Sequence, residues 1–261
     1  MKSPARILLT AFIAPAIIFF GAAVSHGAVV TYIDLFTTSQ FLSTNNTTIA
    51  STVASAGALG GFRTMTLSTL GGDPPEEPPN TGISVSAGTQ RFTLSTPTEA
   101  VSSFQIKWGG AGGTAGLGGI DLRGGIAATN FSLTSSTVNF SLRSADQPSS
   151  FNWTFTDTSS NIASYNGSFP AQSSTNPAIP YAISLASFSG SGLVDWSSIN
   201  FITLSGGGLE LDLSMPTPFA VTARPIPEPG TWAAAALLLG AAAYTMWRRR
   251  QSAAVEETAA A

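Results

Sequence analysis

The chain has 261 residues, of which 43% are hydrophobic and 10% are charged, and it contains no cysteine. Its net charge is −3, and residues 29–225 carry six Lys or Arg against eleven Asp or Glu. The lack of a basic patch argues against a nucleic-acid partner, and the lack of cysteine excludes disulfides and thiolate chemistry. The single histidine, His26, lies close to the N-terminus, so the remaining chain has no imidazole for acid–base catalysis or zinc binding.

Residues 1–27 have the pattern of a secretory signal peptide. Lys2 and Arg6 supply positive charge, an apolar run extends from Ile7 to Phe20, and small residues follow up to Ala28. This order predicts export and cleavage within residues 23–28, which leaves a body at 28–225. The alternative is an uncleaved N-terminal anchor.

The body is rich in Ser, Thr and Gly, and its β-branched and aromatic residues fall in short alternating runs. Such runs, separated by turn residues, predict an all-β domain, an antiparallel β-sandwich of the jelly-roll type. Turns are predicted at Asn166–Gly167 and at Gly206–Gly208. Strands are predicted at 29–36, 64–70, 83–85, 90–94, 101–108, 130–133, 137–142, 151–157, 182–188, 199–205 and 209–213.

The body contains no pattern that is typical of an enzyme. Without histidine or cysteine it cannot form a Ser-His-Asp triad or a cysteine nucleophile. Two carboxylates would suffice for a glycosidase, which is the remaining catalytic alternative. Most of the acids lie at predicted turns or strand ends, where Asp commonly forms turns, so we expect a non-catalytic protein. Arg63 and Arg123 are expected to pair with acids such as Asp121.

Two kinds of binding site are compatible with the body. Exposed aromatic rings stack on sugars, and Trp108, Tyr165 and Trp196 are the candidates, against the alternative that they pack between the sheets. Calcium requires several oxygen ligands, and Asp34 and Asp212 would approach each other if the two ends of the domain paired. Apart from this calcium ion, no cofactor is predicted.

The C-terminal segment combines three features in a fixed order. Pro227, Glu228 and Pro229 precede an apolar run of 17 residues, 231–247. As a helix this run would extend about 25 Å, the lower end of what crosses a bilayer. Basic residues after it favour the cytoplasmic side and would leave 251–261 as a short cytoplasmic tail. These basic residues are Arg248, Arg249 and Arg250.

This arrangement resembles the PEP-CTERM sorting signal of exported bacterial proteins over residues 226–250, although the tail is longer than is usual there. The resemblance implies an exosortase-type sorting enzyme as a partner and an inner-membrane anchor before processing. It then implies retention at the cell envelope, the cell surface or in the extracellular matrix, with exopolysaccharide as a further partner. A plain single-span anchor is the alternative.

Segments of the body also resemble uncharacterised PEP-CTERM proteins and, more generally, carbohydrate-binding jelly rolls. They include Tyr32–Phe36, Gly60–Arg63 and Val194–Ile199. The sequence therefore predicts a non-catalytic exported envelope or matrix protein. The alternative function is a carbohydrate-binding module of jelly-roll type with a structural calcium ion.

Overall fold

The computed structural model describes residues 27–44, 47–70, 81–97, 100–226 and 237–247. Residues Gly27–Ile226 form one compact unit, in which all strand pairs are antiparallel. The strands are β1 Val29–Asp34, β2 Gln40–Thr44, β3 Thr48–Ala54, β4 Phe62–Leu70, β5 Thr81–Ser86, β6 Arg91–Ser95, β7 Val101–Gly109, β8 Thr137–Leu142, β9 Ser144–Ala145, β10 Ser149–Asp157, β11 Ile162–Phe169, β12 Ile179–Ser184, β13 Ile199–Leu209, β14 Leu213–Pro216 and β15 Phe219–Ala223.

These strands form three sheets arranged as a β-sandwich. One layer is a six-stranded sheet in the order β11-β10-β13-β7-β4-β3. A four-stranded sheet, β1-β15-β8-β12, and a five-stranded sheet, β2-β5-β6-β14-β9, pack against its inner face. The predicted all-β sandwich is therefore confirmed.

Alternation of side chains along each strand explains the two layers. In β10, Phe151, Trp153 and Phe155 are buried, while Asn152 and Thr154 point outward. Successive side chains of a strand face opposite sides of a sheet, so this pattern places one apolar face against the other layer.

Aromatic rings fill the space between the layers. Trp108 of the six-stranded sheet meets Phe219 of the four-stranded sheet edge-on, with ring centroids 6.1 Å apart. Phe104 packs against Phe92 of the five-stranded sheet in a tilted arrangement, with ring centroids 5.1 Å apart. Aromatic packing contributes about 0.5–1.5 kcal/mol per pair beyond the area that it buries. One continuous core therefore joins all three sheets.

Several sequence-based strand and turn predictions are wrong. Asn166–Gly167 and Gly206–Gly208 are not turns but lie within β11 and β13. At Gly207 a Cβ would lie 2.3 Å from the Ser102 carbonyl oxygen, so glycine there permits close approach of two strands. The strand predicted at 130–133 is a short 3-10 turn, Ala128–Asn130, followed by an isolated bridge at Phe131.

Other strands differ from prediction in extent. The strand predicted at 182–188 ends at Ser184 and continues as a 3-10 turn, Leu185–Ser187. The strand predicted at 209–213 is divided between the end of β13 and the start of β14. The strands β2, β3, β9, β11 and β15 were not predicted. Most of these carry Ser, Thr or Gly among their apolar residues, which weakens the alternating pattern.

A helix covers residues 237–247, inside the predicted apolar run 231–247. Within the described ranges, no helix reaches the length and hydropathy needed to span a bilayer. Residues 1–26 of the predicted signal peptide, residues 231–236 of the apolar run and the tail 251–261 lie outside the described residues. So do the six residues of the sorting signal, Pro227, Glu228, Pro229, Arg248, Arg249 and Arg250.

Candidate functional site

A fully buried ion pair connects the two layers of the sandwich. Arg63 Nη1 donates to Asp34 Oδ2 at 3.0 Å, and both side chains are 0% exposed. The remaining guanidinium nitrogens donate to Gln40 Oε1 at 3.0 Å and to the Thr38 carbonyl at 2.6 Å. Trp108 Nε1 donates to the same Asp34 oxygen at 2.8 Å. Each nitrogen of this guanidinium group thus donates a hydrogen bond, as expected of a buried cation.

The surroundings of Asp34 act on its pKa in opposite directions. Burial raises the pKa above the usual value for a carboxyl group, and the Arg63 charge, the Trp108 N–H and the Phe36 N–H oppose this rise. Both carboxylate oxygens accept protein donors, because Phe36 N donates to Oδ1 at 2.7 Å. Because the side chain is 0% exposed and both of its oxygens accept hydrogen bonds from the protein, this carboxylate has a structural role and does not contact a substrate.

Two of the three predicted sugar-stacking residues are buried, so the prediction is wrong for both of them. Trp108 is 0% exposed and stacks on Trp153 with ring centroids 5.7 Å apart. Trp196 is 3% exposed, and its Nε1 donates to the Ser191 carbonyl at 3.0 Å. Tyr165 is half-buried and packs against the core. An indole that is covered on both faces offers no surface to a sugar ring, so neither tryptophan forms a stacking platform.

The two acids predicted to bind calcium lie in separate hydrogen-bond networks. The ends of the domain do pair, through β1 and β15, but Asp212 precedes β14, which belongs to a different sheet. Asp212 Oδ1 accepts from Thr96 N at 3.0 Å, while Asp34 faces the Arg63 cation, which would repel Ca²⁺. Among the described residues, no group of three or more His, Cys, Asp or Glu side chains is placed to hold a metal ion. The predicted Asp34–Asp212 pair therefore does not form.

A second buried carboxylate, Asp157, organises the loop between β10 and β11. Its oxygens accept from Ser159 N at 2.8 Å, Asn161 N and Asn161 Nδ2 at 2.9 Å, and Asp195 N at 2.9 Å. The Asp195 N–H is the largest of the hydrogen-bond contributions that lower the pKa of Asp157. Asp157 therefore stabilises this loop and has a structural role.

The predicted pairing of Arg123 with Asp121 is present, with Nε and Oδ1 3.7 Å apart.

The outward side of the six-stranded sheet presents a regular array of hydroxyl and amide groups. Strand register aligns its side chains in three rows that cross β4, β7, β13, β10 and β11. We call these rows the polar face. They are Thr64, Lys107, Thr203, Thr154 and Ser164; Thr66, Gln105, Ser205, Asn152 and Asn166; and Ser68, Ser103, Gly207, Ser150 and Ser168.

An open groove of about 450 Å³ runs across the polar face. Asn152 Nδ2 donates to Asn166 Oδ1 at 2.7 Å, and Thr154 Oγ1 donates to Asn152 Oδ1 at 2.7 Å, which orients both amides. The only charged group in the three rows, Lys107, places its Nζ 3.9 Å from the centre of the Phe201 ring. The polar residues that line the groove are Thr66, Ser68, Ser103, Gln105, Ser150, Asn152, Asn166 and Ser205, and Phe104, Phe151 and Gly206 complete its lining. All of its polar lining residues are neutral side chains that can donate or accept hydrogen bonds.

Sequence reasoning missed the polar face and the partner of Arg63. The alternation of polar residues in 64–68 and 152–156 was visible, but the register that aligns five strands was not. Asp34 and Arg63 are 29 residues apart, and Asp34 and Trp108 are 74 apart, so no local pattern joins them. The one available signal was that Arg63 shares the alternating pattern of the apolar residues on the inward face of β4. A buried arginine requires an acidic partner, so this pattern predicts a buried carboxylate nearby.

Comparison with known proteins gives limited similarity. No protein-family model matches the chain, and no curated protein sequence does. The chain is similar to the family 11 carbohydrate-binding module of the cellulase Lic26A-Cel5E of Clostridium thermocellum, with a TM-score of 0.34 and 11% identity, covering 77% of this chain and 96% of that one. It is also similar to the enzymatically active domain of bacteriophage CBA120 tailspike protein 4, with a TM-score of 0.33 and 11% identity, covering 73% of this chain and only 20% of that one.

An exo-beta-agarase gives a TM-score of 0.35 at 11% identity, covering 76% of this chain and 25% of that one. At these scores the comparisons assign no activity and no binding residue to this chain. The chemistry of the body therefore has to be argued from its own side chains.

Proposed function

We propose that the chain is a non-catalytic exported protein of the cell envelope or extracellular matrix, sorted by an exosortase-type enzyme. The observation that carries this proposal is the order Pro227-Glu228-Pro229, apolar run 231–247 and three arginines at 248–250. Together with the N-terminal signal peptide, this order describes a cargo that is exported, held in the inner membrane and then processed.

The boundaries of the compact unit support the proposal that the two terminal segments are export and sorting signals. The compact unit runs from Gly27 to Ile226, within a residue of the body 28–225 that the two terminal signals enclose. The core residues of the sandwich all lie inside this unit. Removal of either terminal segment would therefore leave the sandwich with its whole core.

The hydrogen bonds of the buried carboxylates support a non-catalytic role. In the described part of the chain, the buried carboxylates are Asp34 and Asp157, and hydrogen bonds from neighbouring groups occupy both. A general acid or base needs a carboxyl group within reach of a substrate. Neither of these acids meets that condition, and the body offers no histidine.

Processing in two hosts tests the sorting proposal. The chain would be expressed in a bacterium with a matching exosortase and in the same strain lacking it, and mass spectrometry would define both ends of the mature protein. We expect residues after the Pro227–Pro229 motif to be lost only where the enzyme is present. The Glu228→Ala variant should retain residues 231–250 in both hosts. Glu256→Ala, in the tail, is the matched control and should be processed like the wild type. An intact wild-type C-terminus in both hosts would make the segment an ordinary anchor.

The polar face favours a second candidate function, binding of a neutral polysaccharide. Its groove combines amide and hydroxyl groups that donate and accept hydrogen bonds, and no carboxylate belongs to its three rows. Because Trp108 and Trp196 are buried, such binding would depend on hydrogen bonds and not on stacking. The negative charge of the body disfavours an acidic polysaccharide.

Affinity electrophoresis in gels that contain a neutral polysaccharide tests this second function. The double variant Gln105→Ala/Asn152→Ala should weaken binding about tenfold, since each lost hydrogen bond is worth about 0.5–1.5 kcal/mol. The double variant Ser84→Ala/Thr93→Ala, on the outward side of the five-stranded sheet, is the matched control. Equal retardation of both variants would exclude the groove as the binding site.

A further inference from the structure

Strand edges expose backbone N–H and C=O groups, and soluble proteins usually shield them. The sandwich shields several of its edges. The edges of β2 and β3 are joined where Gln40 Nε2 donates to the Ser51 carbonyl at 2.8 Å. The edge strand β12 contains Pro180, which cannot donate a hydrogen bond, and the two-residue strand β9 bridges to Gln172 through Ala145.

The outer edge of β11 is shielded along only part of its length. Ser164 exchanges two backbone hydrogen bonds with Ser189, at 3.0 and 2.8 Å, on the side away from β10. The register between β10 and β11 is uninterrupted, so the N–H and C=O groups of Asn166 and Ser168 point to the same side as those of Ser164. Within the described ranges, neither residue has a backbone partner on that side.

This open stretch lacks the features that normally prevent strand addition. Residues 165–169 contain no Lys, Arg, Asp, Glu or Pro. Asn166 and Ser168 are exposed, and Gly167 between them has no side chain to obstruct a neighbouring strand. The stretch is also symmetric, because the two outward-pointing residues lie on either side of Gly167.

We propose that residues Asn166–Ser168 pair antiparallel with the same residues of a second copy of this chain, about a two-fold axis at Gly167. In this register Asn166 faces the partner's Ser168, Ser168 faces the partner's Asn166, and each pair exchanges both backbone hydrogen bonds. The short length of the unshielded stretch favours a second copy of the chain as the partner. The symmetric pairing gives a hydrogen-bond partner to the backbone N–H and C=O groups of Asn166 and Ser168 in both copies. It also makes the polar faces of two molecules continuous, and it is independent of the sorting signal.

Cysteine cross-linking tests the register directly, because the chain has no cysteine of its own. In the proposed register, Asn166 and the partner's Ser168 have Cα atoms about 5.5 Å apart, within disulfide range, whereas identical positions lie roughly 8–9 Å apart. A mixture of Asn166→Cys and Ser168→Cys, purified from exporting cells, should give mixed disulfide dimers on mild oxidation. Each variant alone should give far fewer. Equal yields in all three samples would overturn the proposal.

Sedimentation of the exported protein over a range of concentrations provides the second test. The wild type should show a monomer–dimer equilibrium, and Asn166→Lys/Ser168→Lys should raise its dissociation constant about tenfold by opposing like charges. Ser103→Lys/Gln105→Lys adds the same charge at exposed positions of the central strand β7 and should leave the equilibrium unchanged. A wild type that stays monomeric at all concentrations, or an equal effect of both variants, would contradict the proposal.

Discussion

Arg63 and Asp34 form a fully buried ion pair in the interior of the sandwich. A buried charge is costly unless it is paired, and breaking such a pair leaves the surviving charge without compensation. Here the pair is 0% exposed and holds residues of β1, β2, β4 and β7 together through Gln40 and Trp108. Loss of one partner therefore affects both layers.

Arg63→Met should lower the free energy of unfolding by about 3–5 kcal/mol, because Asp34 is left buried without its counter-charge. Burial would then raise the pKa of Asp34 with less opposition. A carboxyl group whose pKa is raised in the folded state loses stability as the pH rises from its unfolded value through its folded value. We therefore expect a smaller loss at pH 5 than at pH 8, measured by urea unfolding followed by tryptophan fluorescence.

The double variant Asp34→Asn/Arg63→Met is the control for this prediction. It removes both charges and should recover part of the stability lost in the single variant, most of all at pH 8. An identical loss for Arg63→Met at both pH values would show that the buried Asp34 does not cause the effect.

At the scale of elements, the loop between β10 and β11 depends on one carboxylate. Asp157 accepts backbone donors from its own loop and from Asp195, which lowers its pKa. The folded state then binds fewer protons than the unfolded state, so this contribution is present above the unfolded pKa, about 3.9, and is lost as the pH falls through the folded pKa.

Asp157→Asn should therefore destabilise the protein at pH 7 by about 1.5–3 kcal/mol, the value of hydrogen bonds to a charged group. Its thermal midpoint should also depend less on pH below about 4 than that of the wild type. Asp146→Asn, which removes an exposed carboxylate elsewhere, controls for the change in net charge. A variant that keeps the acid dependence of the wild type would refute the role of Asp157.

Gly207 of β13 lies so close to β7 that there is no room for a side chain. A Cβ at Gly207 would lie 2.3 Å from the Ser102 carbonyl oxygen, so Gly207→Ala should push β13 away from β7. We expect a loss of about 1–3 kcal/mol in unfolding free energy, measured by chemical denaturation. Gly192→Ala, where a Cβ would meet nothing within 4 Å, should change stability little. Equal effects at the two sites would contradict the steric account.

At the scale of the whole molecule, the body should unfold in a single transition. The four-stranded and five-stranded sheets share one continuous core with the six-stranded sheet and have no separate cores of their own. Calorimetry of the exported protein should therefore give equal calorimetric and van't Hoff enthalpies. A second, lower transition would show that one of the two smaller sheets unfolds by itself.

Sequence reasoning reached some parts of this architecture and not others. Strands with strong apolar alternation, such as β7 and β10, were predicted closely. Strands β3 and β11 were missed, because Ser, Thr and Gly interrupt their pattern. Of the predicted site residues, Trp108 was placed at the end of the predicted strand 101–108, but the burial of Trp108 and Trp196 depends on which elements cover them.

The order of residues along the chain was enough to determine the all-β class of the body, its lack of histidine and cysteine chemistry, and the expectation of export and sorting. These conclusions follow from composition and from local patterns. Tertiary structure alone decided that Arg63 pairs with Asp34, that Trp108 and Trp196 are buried, and that five strands align as a polar face. Each of these depends on strand register between segments tens of residues apart, which no local pattern encodes.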